Sequence, residues 1–381
     1  MIIQGKIPET ESLVNIDVEN GKVTRIEPCQ QGSPCDFGGA DFYVSPGFFD
    51  PQVNGFAGVD FNSPRLTLEG LHQAARSIAS TGVTCFLPTL ITSSQEKMIR
   101  QLKIIASALN SDALLRKMCY GIHLEGPYIS PEDGPRGVHP REYVRPPQWE
   151  ELEKFQEACE GRIKCLTLAP EVKGAIPFVK KGVAHGIVIG IGHTHATEKV
   201  IEEAVQAGAR LSCHLGNATP KPLSRHQNLI RKQLAMDRLM MSIIADGIHL
   251  PREVVRDFVQ TKGIDGILLT TDCMAAAGAS PGRYALGEVE VEAGPDGTAR
   301  SVTTSRLAGS TLTMDRAITN VIQFTGISLP SAIRMATKNG QKIFREVRGE
   351  ILPGDSADLV LFEYPGKVKV RSTWIGEEKV F

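Results

Sequence analysis

Gly266-Ile267-Leu268-Leu269-Thr270-Thr271-Asp272 is a short apolar run that closes on a carboxylate, and the same punctuation recurs along the chain. Tyr120-Gly121-Ile122-His123-Leu124 ends at Glu125, and Ile187-Val188-Ile189-Gly190-Ile191-Gly192 ends at His193. Ala209-Arg210-Leu211-Ser212-Cys213 ends at His214. Met240-Met241-Ser242-Ile243-Ile244-Ala245 runs into Asp246, with His249 just beyond. Each run is rich in β-branched and other apolar residues and follows a helical-looking stretch, the pattern of a buried parallel strand. Candidate strands fall near 43–49, 83–88, 119–124, 164–169, 187–191, 210–213, 240–245 and 266–271. Helical patterns lie between most of them: Leu68 to Ser80, Glu96 to Leu109, Trp149 to Ala158, Ala196 to Ala207 and Arg252 to Thr261. Strand alternating with helix eight times predicts an α/β protein of the (β/α)8 TIM-barrel type, whose strand C-termini converge on one face. The helical signal is weakest over 222–239, where basic and polar residues break it. The long stretch after the eighth strand carries a hairpin pattern, Leu286 to Thr304, around Pro295-Asp296-Gly297.

The two ends read differently. Leu13-Val14-Asn15-Ile16-Asp17-Val18 and Lys22-Val23-Thr24-Arg25-Ile26 flank Asn20-Gly21, a strong hairpin signal. Asp358-Leu359-Val360-Leu361-Phe362 and Val368-Lys369-Val370 read as strands near the other end. Residues 1–45 and 349–381 are therefore expected to build one small β-sandwich, and 46–348 the barrel.

With 381 residues the chain can bury a large core. Its 42 basic and 43 acidic residues give a net charge of −1, and no stripe is strongly basic, which argues against a nucleic-acid partner. The eight cysteines are scattered without a C-x-x-C pair, so free thiols in a reducing compartment are expected. The N-terminal residues lack a basic region followed by an apolar one, and no segment is long and apolar enough to span a bilayer. A cytoplasmic protein with no membrane partner is the resulting expectation.

Glu125, His193 and His214, on the third, fifth and sixth strands, offer the carboxylate and imidazole ligands that a catalytic zinc site uses while leaving a position open. Asp272, on the eighth, is placed to take a proton from water, because a zinc ion lowers the pKa of its water to about 7. The same carboxyl could then protonate a departing amine. Taken singly, each of these residues could equally be a satisfied polar group at a strand end.

The surrounding motifs narrow the reading. Pro46-Gly47-Phe48-Phe49-Asp50-Pro51-Gln52-Val53-Asn54-Gly55, His123-Leu124-Glu125-Gly126-Pro127-Tyr128, Gly192-His193-Thr194-His195-Ala196-Thr197 and Cys213-His214-Leu215-Gly216-Asn217-Ala218 stand at successive strand ends. Together with Ala245-Asp246-Gly247-Ile248-His249 and Thr271-Asp272, they resemble the N-acetylglucosamine-6-phosphate deacetylases of the amidohydrolase superfamily over nearly the whole chain, and Gly349-Glu350-Ile351-Leu352-Pro353-Gly354-Asp355-Ser356-Ala357-Asp358-Leu359 resembles a signature shared across that wider superfamily. The resemblance implies hydrolysis of an N-acetyl amino sugar to acetate and free amine, with Asp272 as general base and acid. Many superfamily members carry His-x-His on the first strand for a second metal. Gln52 and Asn54 stand there instead, on the substrate side, so one divalent ion is expected, zinc first and iron, manganese or cobalt as alternatives. By the same resemblance His139 would polarise the scissile carbonyl, within a lid at Gly134-Pro135-Arg136-Gly137-Val138-His139-Pro140. His249 and Asn217-Ala218 would contact the sugar or its phosphate, and Arg225 would bind the phosphate, reaching across a homodimer interface. Gly309, in Gly309-Ser310-Thr311-Leu312, resembles the family's substrate-side loop and is read as opening a helix.

Some positions depart from the family pattern. His195 stands where many members carry Asn. It either joins His193 as a metal ligand or hydrogen-bonds a neighbouring carboxylate, the second being favoured. Gly216 and Thr219 replace larger residues, and His226-Gln227-Asn228 follows Arg225 where Glu-Pro-Gly is expected. His72 and His226 read as surface residues and His185 as a helix end. His123 is expected to face away from Glu125, into the barrel wall. Two other functions compete: an amidohydrolase acting on an unphosphorylated N-acyl amino sugar or N-acyl D-amino acid, and a barrel that has lost catalysis, which would have eroded the ligand or base positions.

Overall fold

A computed structural model describes residues 1–347 and 349–381. Eight strands form the central sheet: β1 (Phe48–Val53), β2 (Val83–Ile91), β3 (Ile122–Glu125), β4 (Ile163–Leu168), β5 (Val188–Ile191), β6 (Leu211–Ser212), β7 (Met240–Ile243) and β8 (Ile267–Leu269). They pair in sequence order and in parallel. A bridge between Val53 and Cys273 closes the ring, where Asn54 N donates to Cys273 O at 2.8 Å. Helices Leu68–Ala79, Gln95–Ser111, Trp149–Ala158, Ala175–Ala184, Glu198–Gln206, Leu229–Leu234, Arg252–Lys262 and Met314–Thr325 cover the outside. Thr67, Ser94, Thr197 and Asn228 start four of them by accepting a first-turn backbone N–H. The short sixth helix, Leu229–Leu234, is where the sequence pattern is broken, and residues 216–228 run as an irregular loop instead.

Strand alternation sorts the core. Ile267 and Leu269 pack in the large cluster under the helices, whereas Leu268 joins Phe49, Leu87, Cys165 and Leu211 in a separate cluster that fills the barrel interior. Phe344 belongs to the same cluster, its ring 5.2 Å from that of Phe49.

Both termini supply one seven-stranded hydrogen-bonded sheet, in which Phe37–Pro46 lies between Ile2–Lys6 and Leu359–Glu363. One side encloses Ile3, Val14, Ile16, Val44, Leu359, Leu361 and Trp374, while the alternate residues Val360 and Phe362 pack with Phe48 against the barrel. Asn20 and Gly21 turn the expected hairpin with φ of 51° and 71°. The strand expected over 43–49 is two strands, one in each sheet, broken at Gly47. A Cβ there would lie 1.9 Å from Thr84 Oγ1, so only glycine lets the chain pass from sheet to barrel. The expected limit of the barrel at 348 falls on Arg348, which lies outside the described residues.

After β8 the chain builds a small antiparallel sheet of three strands, Gly282–Leu286, Val289–Ala293 and Ala299–Ser301. The expected hairpin around Pro295-Asp296-Gly297 is its second half. Gly309-Ser310-Thr311-Leu312 precedes rather than opens the last barrel helix, which starts at Met314, and Ser310 Oγ donates to Thr271 O at 2.6 Å. His123 also corrects the expectation. It is two residues from Glu125, so a period of two puts both side chains on one face. Its ring sits inside the barrel, bonded to Pro51 O at 3.0 Å and Thr167 Oγ1 at 2.8 Å. Among the described residues, no helix is long and apolar enough to cross a membrane.

Candidate active site

Three residues at the C-terminal ends of β3, β5 and β6 converge. Glu125 Oε1 lies 3.1 Å from His193 Nε2 and 2.8 Å from His214 Nε2, and Gln52 Nε2 donates to the same oxygen at 2.8 Å. Glu125, His193 and His214 are buried, and the atoms they could offer to a metal ion all lie within 4.8 Å of one another. A single carboxylate oxygen facing that many polar nitrogens is over-subscribed. A divalent cation would relieve this, and two imidazole nitrogens with a carboxylate are a donor set that suits zinc and its neighbours. His193 is set for this, since its Nδ1 faces the Pro135 carbonyl at 2.9 Å and so carries the proton, leaving Nε2 bare. Among the described residues, His214 Nδ1 is buried with no hydrogen-bond partner. Burial alone would raise Glu125, yet His193 and His214 hold its carboxyl well below the usual range.

Asp272 follows β8 beside this centre. Its Oδ1 accepts from Asn54 Nδ2 at 2.7 Å and Gln52 Nε2 at 2.9 Å. Burial, and then the nearby Glu125 charge, push its pKa up to about 6. His193, His214 and Asp272 all have left-handed backbones, with φ of 50°, 30° and 49°. Such conformations cost a non-glycine residue energy, and here they coincide with the points where strand ends turn their side chains into the site. Beneath Asp272 lies Asp50, whose role no feature of its motif announces. It accepts from Thr270 Oγ1 at 3.0 Å, Thr271 N at 3.2 Å and Thr271 Oγ1 at 2.5 Å, tying β1 to the turn that presents Asp272.

His139 projects from the 132–139 loop over the centre. Thr92 N donates to its Nδ1 at 3.4 Å, with Thr92 Oγ1 2.8 Å from the same nitrogen, which leaves the proton on Nε2, 3.8 Å from Glu125 Oε2. Burial, then His193, depress its pKa to about 3, so the ring is a neutral hydrogen-bond donor.

These groups line a cavity of about 720 Å³. Asn54, Glu125, His139, His193, His214, Asn217, Ala218, His249, Asp272 and Gly309 all contribute to its wall. Gln52 sits just behind, reaching the site through its amide. His249 is held by Asp246, whose Oδ2 lies 2.6 Å from Nδ1, and the 246–249 turn closes on Asp246 Oδ1. Arg225 is exposed and is not among the residues that line the cavity. Cations that sequence reasoning does not single out do line it: Lys221, Arg300 and Arg306. Nothing in their local pattern marks them, because each sits in an irregular or inserted segment. His195 is outside the ligand cluster and pairs with the Glu171 carboxylate at 3.0 Å, the second of its two expected roles. His185 ends helix Ala175–Ala184, and His72 pairs with Asp112.

A buried Glu-His-His centre, with an Asp just past β8, at the C-terminal face of a (β/α)8 barrel defines a hydrolase site of the amidohydrolase type. The chain matches the amidohydrolase family over residues 43–380. It is 34% identical to the N-acetylglucosamine-6-phosphate deacetylase of Bos taurus, covering 89% of this chain and 83% of that protein. It is 30% identical to the Bacillus subtilis enzyme of the same name, covering 93% and 90%. The structure of a mutant N-acetyl-D-glucosamine-6-phosphate deacetylase from Mycobacterium smegmatis, in complex with N-acetyl-D-glucosamine-6-phosphate, superposes with a TM-score of 0.90 at 28% identity, covering 100% and 99%. The chain belongs to the N-acetylglucosamine-6-phosphate deacetylase family.

Proposed function

We propose that this enzyme hydrolyses the acetamide of N-acetylglucosamine 6-phosphate to glucosamine 6-phosphate and acetate. The observation that carries the reading is the pairing of an over-subscribed Glu125 oxygen, shared by His193 and His214, with an Asp272 carboxylate held by Gln52 and Asn54. Glu125, His193 and His214 would hold one divalent ion, zinc by preference. When bound, the ion supplies Lewis acidity toward water and the amide oxygen. Asp272 takes a proton from the attacking water as its oxygen bonds to the acetyl carbon. It returns the proton to the sugar nitrogen as the C–N bond breaks. His139 donates from Nε2 to the amide oxygen, where negative charge builds up. Gln52 and Asn54 orient the base. His249, Asn217, Ala218 and Gly309 would position the sugar.

The phosphate end is read from charge. Lys221 and Arg300 line the cavity, and Arg300 donates Nη1 to the Ser305 carbonyl at 3.0 Å. Arg225 would contribute only from the second protomer of a homodimer, reaching its partner's cavity. Eight free cysteines suit a reducing cytoplasm. The reading is tested by acetate release from N-acetylglucosamine 6-phosphate and from the unphosphorylated sugar, with metal content measured on the same sample. Metal-loaded protein that releases acetate from neither would overturn it; equal rates on both would move the substrate to an unphosphorylated amide.

A further inference from the structure

The loop that delivers His139 has little regular structure of its own. Arg136 N, Gly137 N and His139 N bond back to Glu132 O, Gly134 O and Arg136 O at 2.9, 3.0 and 3.2 Å, a run of turns lying across the cavity mouth. Turns of this kind do not by themselves fix where a ring at their end points. Thr92 holds the ring itself at Nδ1, and three side chains fix the backbone that carries it by binding alternate carbonyls. His193 Nδ1 meets Pro135 O at 2.9 Å, Arg306 Nη1 donates to Gly137 O at 3.0 Å, and Arg136 Nη1 donates to His139 O at 2.8 Å. Arg136 belongs to the loop itself, so it stiffens the turn without anchoring it. Among the described residues, the loop's carbonyls are reached from outside it by His193, on the β5 side, and Arg306, on the far side of the mouth.

Arg306 is itself held in place. Its carbonyl accepts from Ser301 N at 2.8 Å, and Arg300 bridges Leu307, so its backbone is the edge of the inserted sheet that follows β8. The guanidinium also lies 3.8 Å from Asp133 Oδ1, which Arg136 holds as well. Gly137 fits closely under this arrangement, with φ of 61° and a virtual Cβ 3.4 Å from His193 Cε1. The loop is thus gripped between a metal-site imidazole and an insert that emerges just past Asp272.

We propose that Arg306 is a positioning residue for the hydrolysis. It fastens the 132–139 loop through the Gly137 carbonyl, so that His139 Nε2 is aimed at the amide oxygen as charge develops. The proposal rests on the role given to His139 above. Because His139 acts on the transition state, loosening its loop lowers kcat more than it raises KM. A displacement of about 1 Å can cost about a hundredfold in rate.

The experiment is a double-mutant cycle on the metal-loaded enzyme with Arg306→Met and His139→Gln, with Arg306→Lys and Arg306→Gln as companions. Arg306→Met is expected to lower kcat by about tenfold to a hundredfold. Its melting temperature and metal content should stay at the wild-type level, and amide hydrogen exchange should rise at Gly137, Val138 and His139. Arg306→Lys, which keeps one donor, should recover part of the loss. In the His139→Gln background the Arg306→Met change should add nothing further. Wild-type kcat in Arg306→Met, or a loss repeated in full without His139, overturns the proposal. Should Arg306→Met melt early, the same comparison is read from Arg306→Gln and from hydrogen exchange. Wild-type turnover in His139→Gln would instead remove the role of His139, a failure separable from that of the clasp.

Discussion

Asn54 Nδ2 donates to Asp272 Oδ1 at 2.7 Å, and this bond points the carboxylate into the cavity while Gln52 holds the same oxygen from behind. Amides at the end of β1 thus hold the proposed base. Asp272→Asn keeps the size of the side chain and removes its basicity. We expect turnover to fall by about two to four orders of magnitude, the usual contribution of general acid–base catalysis, with metal content unchanged. Turnover within about tenfold of wild type, measured by acetate release, would take the base role away from Asp272.

The acidity of that carboxyl sets a pH profile. Burial, then Glu125, raise it to about 6, and a cation on the three ligands would lower it again. A base must be unprotonated to act, so kcat/KM should be full at neutral pH and fall as pH drops through a limb at or below about 6. In Asp272→Glu the limb should move while remaining on the acid side. An acid limb above neutrality in the metal-loaded enzyme would assign the profile to another group.

The strand ends, the Glu-His-His set and Asp272 are legible in the sequence because a parallel barrel writes each strand as an apolar run closed by a polar residue. The departures are physical as well. His123 lies inside the barrel rather than in its wall because a period of two ties it to Glu125, a parity that the apolar run around it hides. Asp50 escapes local reading because its partners, Thr270 and Thr271, lie 220 and 221 residues away across the barrel seam. Lys221 and Arg306 reach the cavity from irregular segments whose course no periodicity encodes, and Arg300 reaches it from an inserted strand whose placement over the barrel mouth local pattern does not carry. Long-range closure and loop placement are set by tertiary contacts, which local pattern does not carry.

Metal should be visible in stability as well as rate. A ligand that binds only the folded chain adds about 2.7 kcal/mol at a hundredfold excess over its Kd. Zinc added to chelator-treated protein should therefore raise the melting temperature and restore activity together. Glu125→Gln should abolish both effects while the protein remains folded. A zinc-dependent shift that survives in Glu125→Gln would place the ion elsewhere.

The phosphate reading separates cavity cations from an exposed one. Lys221→Met and Arg300→Met should raise KM for N-acetylglucosamine 6-phosphate about tenfold each, from the loss of a charge-assisted contact of about 1.5 kcal/mol, with little change on the unphosphorylated sugar. Arg225→Ala should match them only if two protomers associate, so its effect should fade on dilution below the dimer dissociation constant. Equal losses on both sugars would show that these cations shape the cavity rather than bind phosphate.

Asp50 offers a stability test outside the chemistry. Burial raises its pKa from 3.8 to about 6, against the four hydrogen bonds that favour its charged form. The fold therefore prefers the protonated acid. That preference is fully present below about pH 3.8 and is lost as pH rises through about 6. The shift corresponds to something on the order of 3 kcal/mol. Asp50→Asn cannot titrate, and it loses acceptors to Thr270 and Thr271, so it should be less stable than wild type at every pH. The gap should narrow between about pH 4 and pH 6, because only wild type loses the contribution of its protonated carboxyl there. Denaturant midpoints across that range check the sign, and a gap that widens with pH would mean that Asp50 stays charged in the barrel seam.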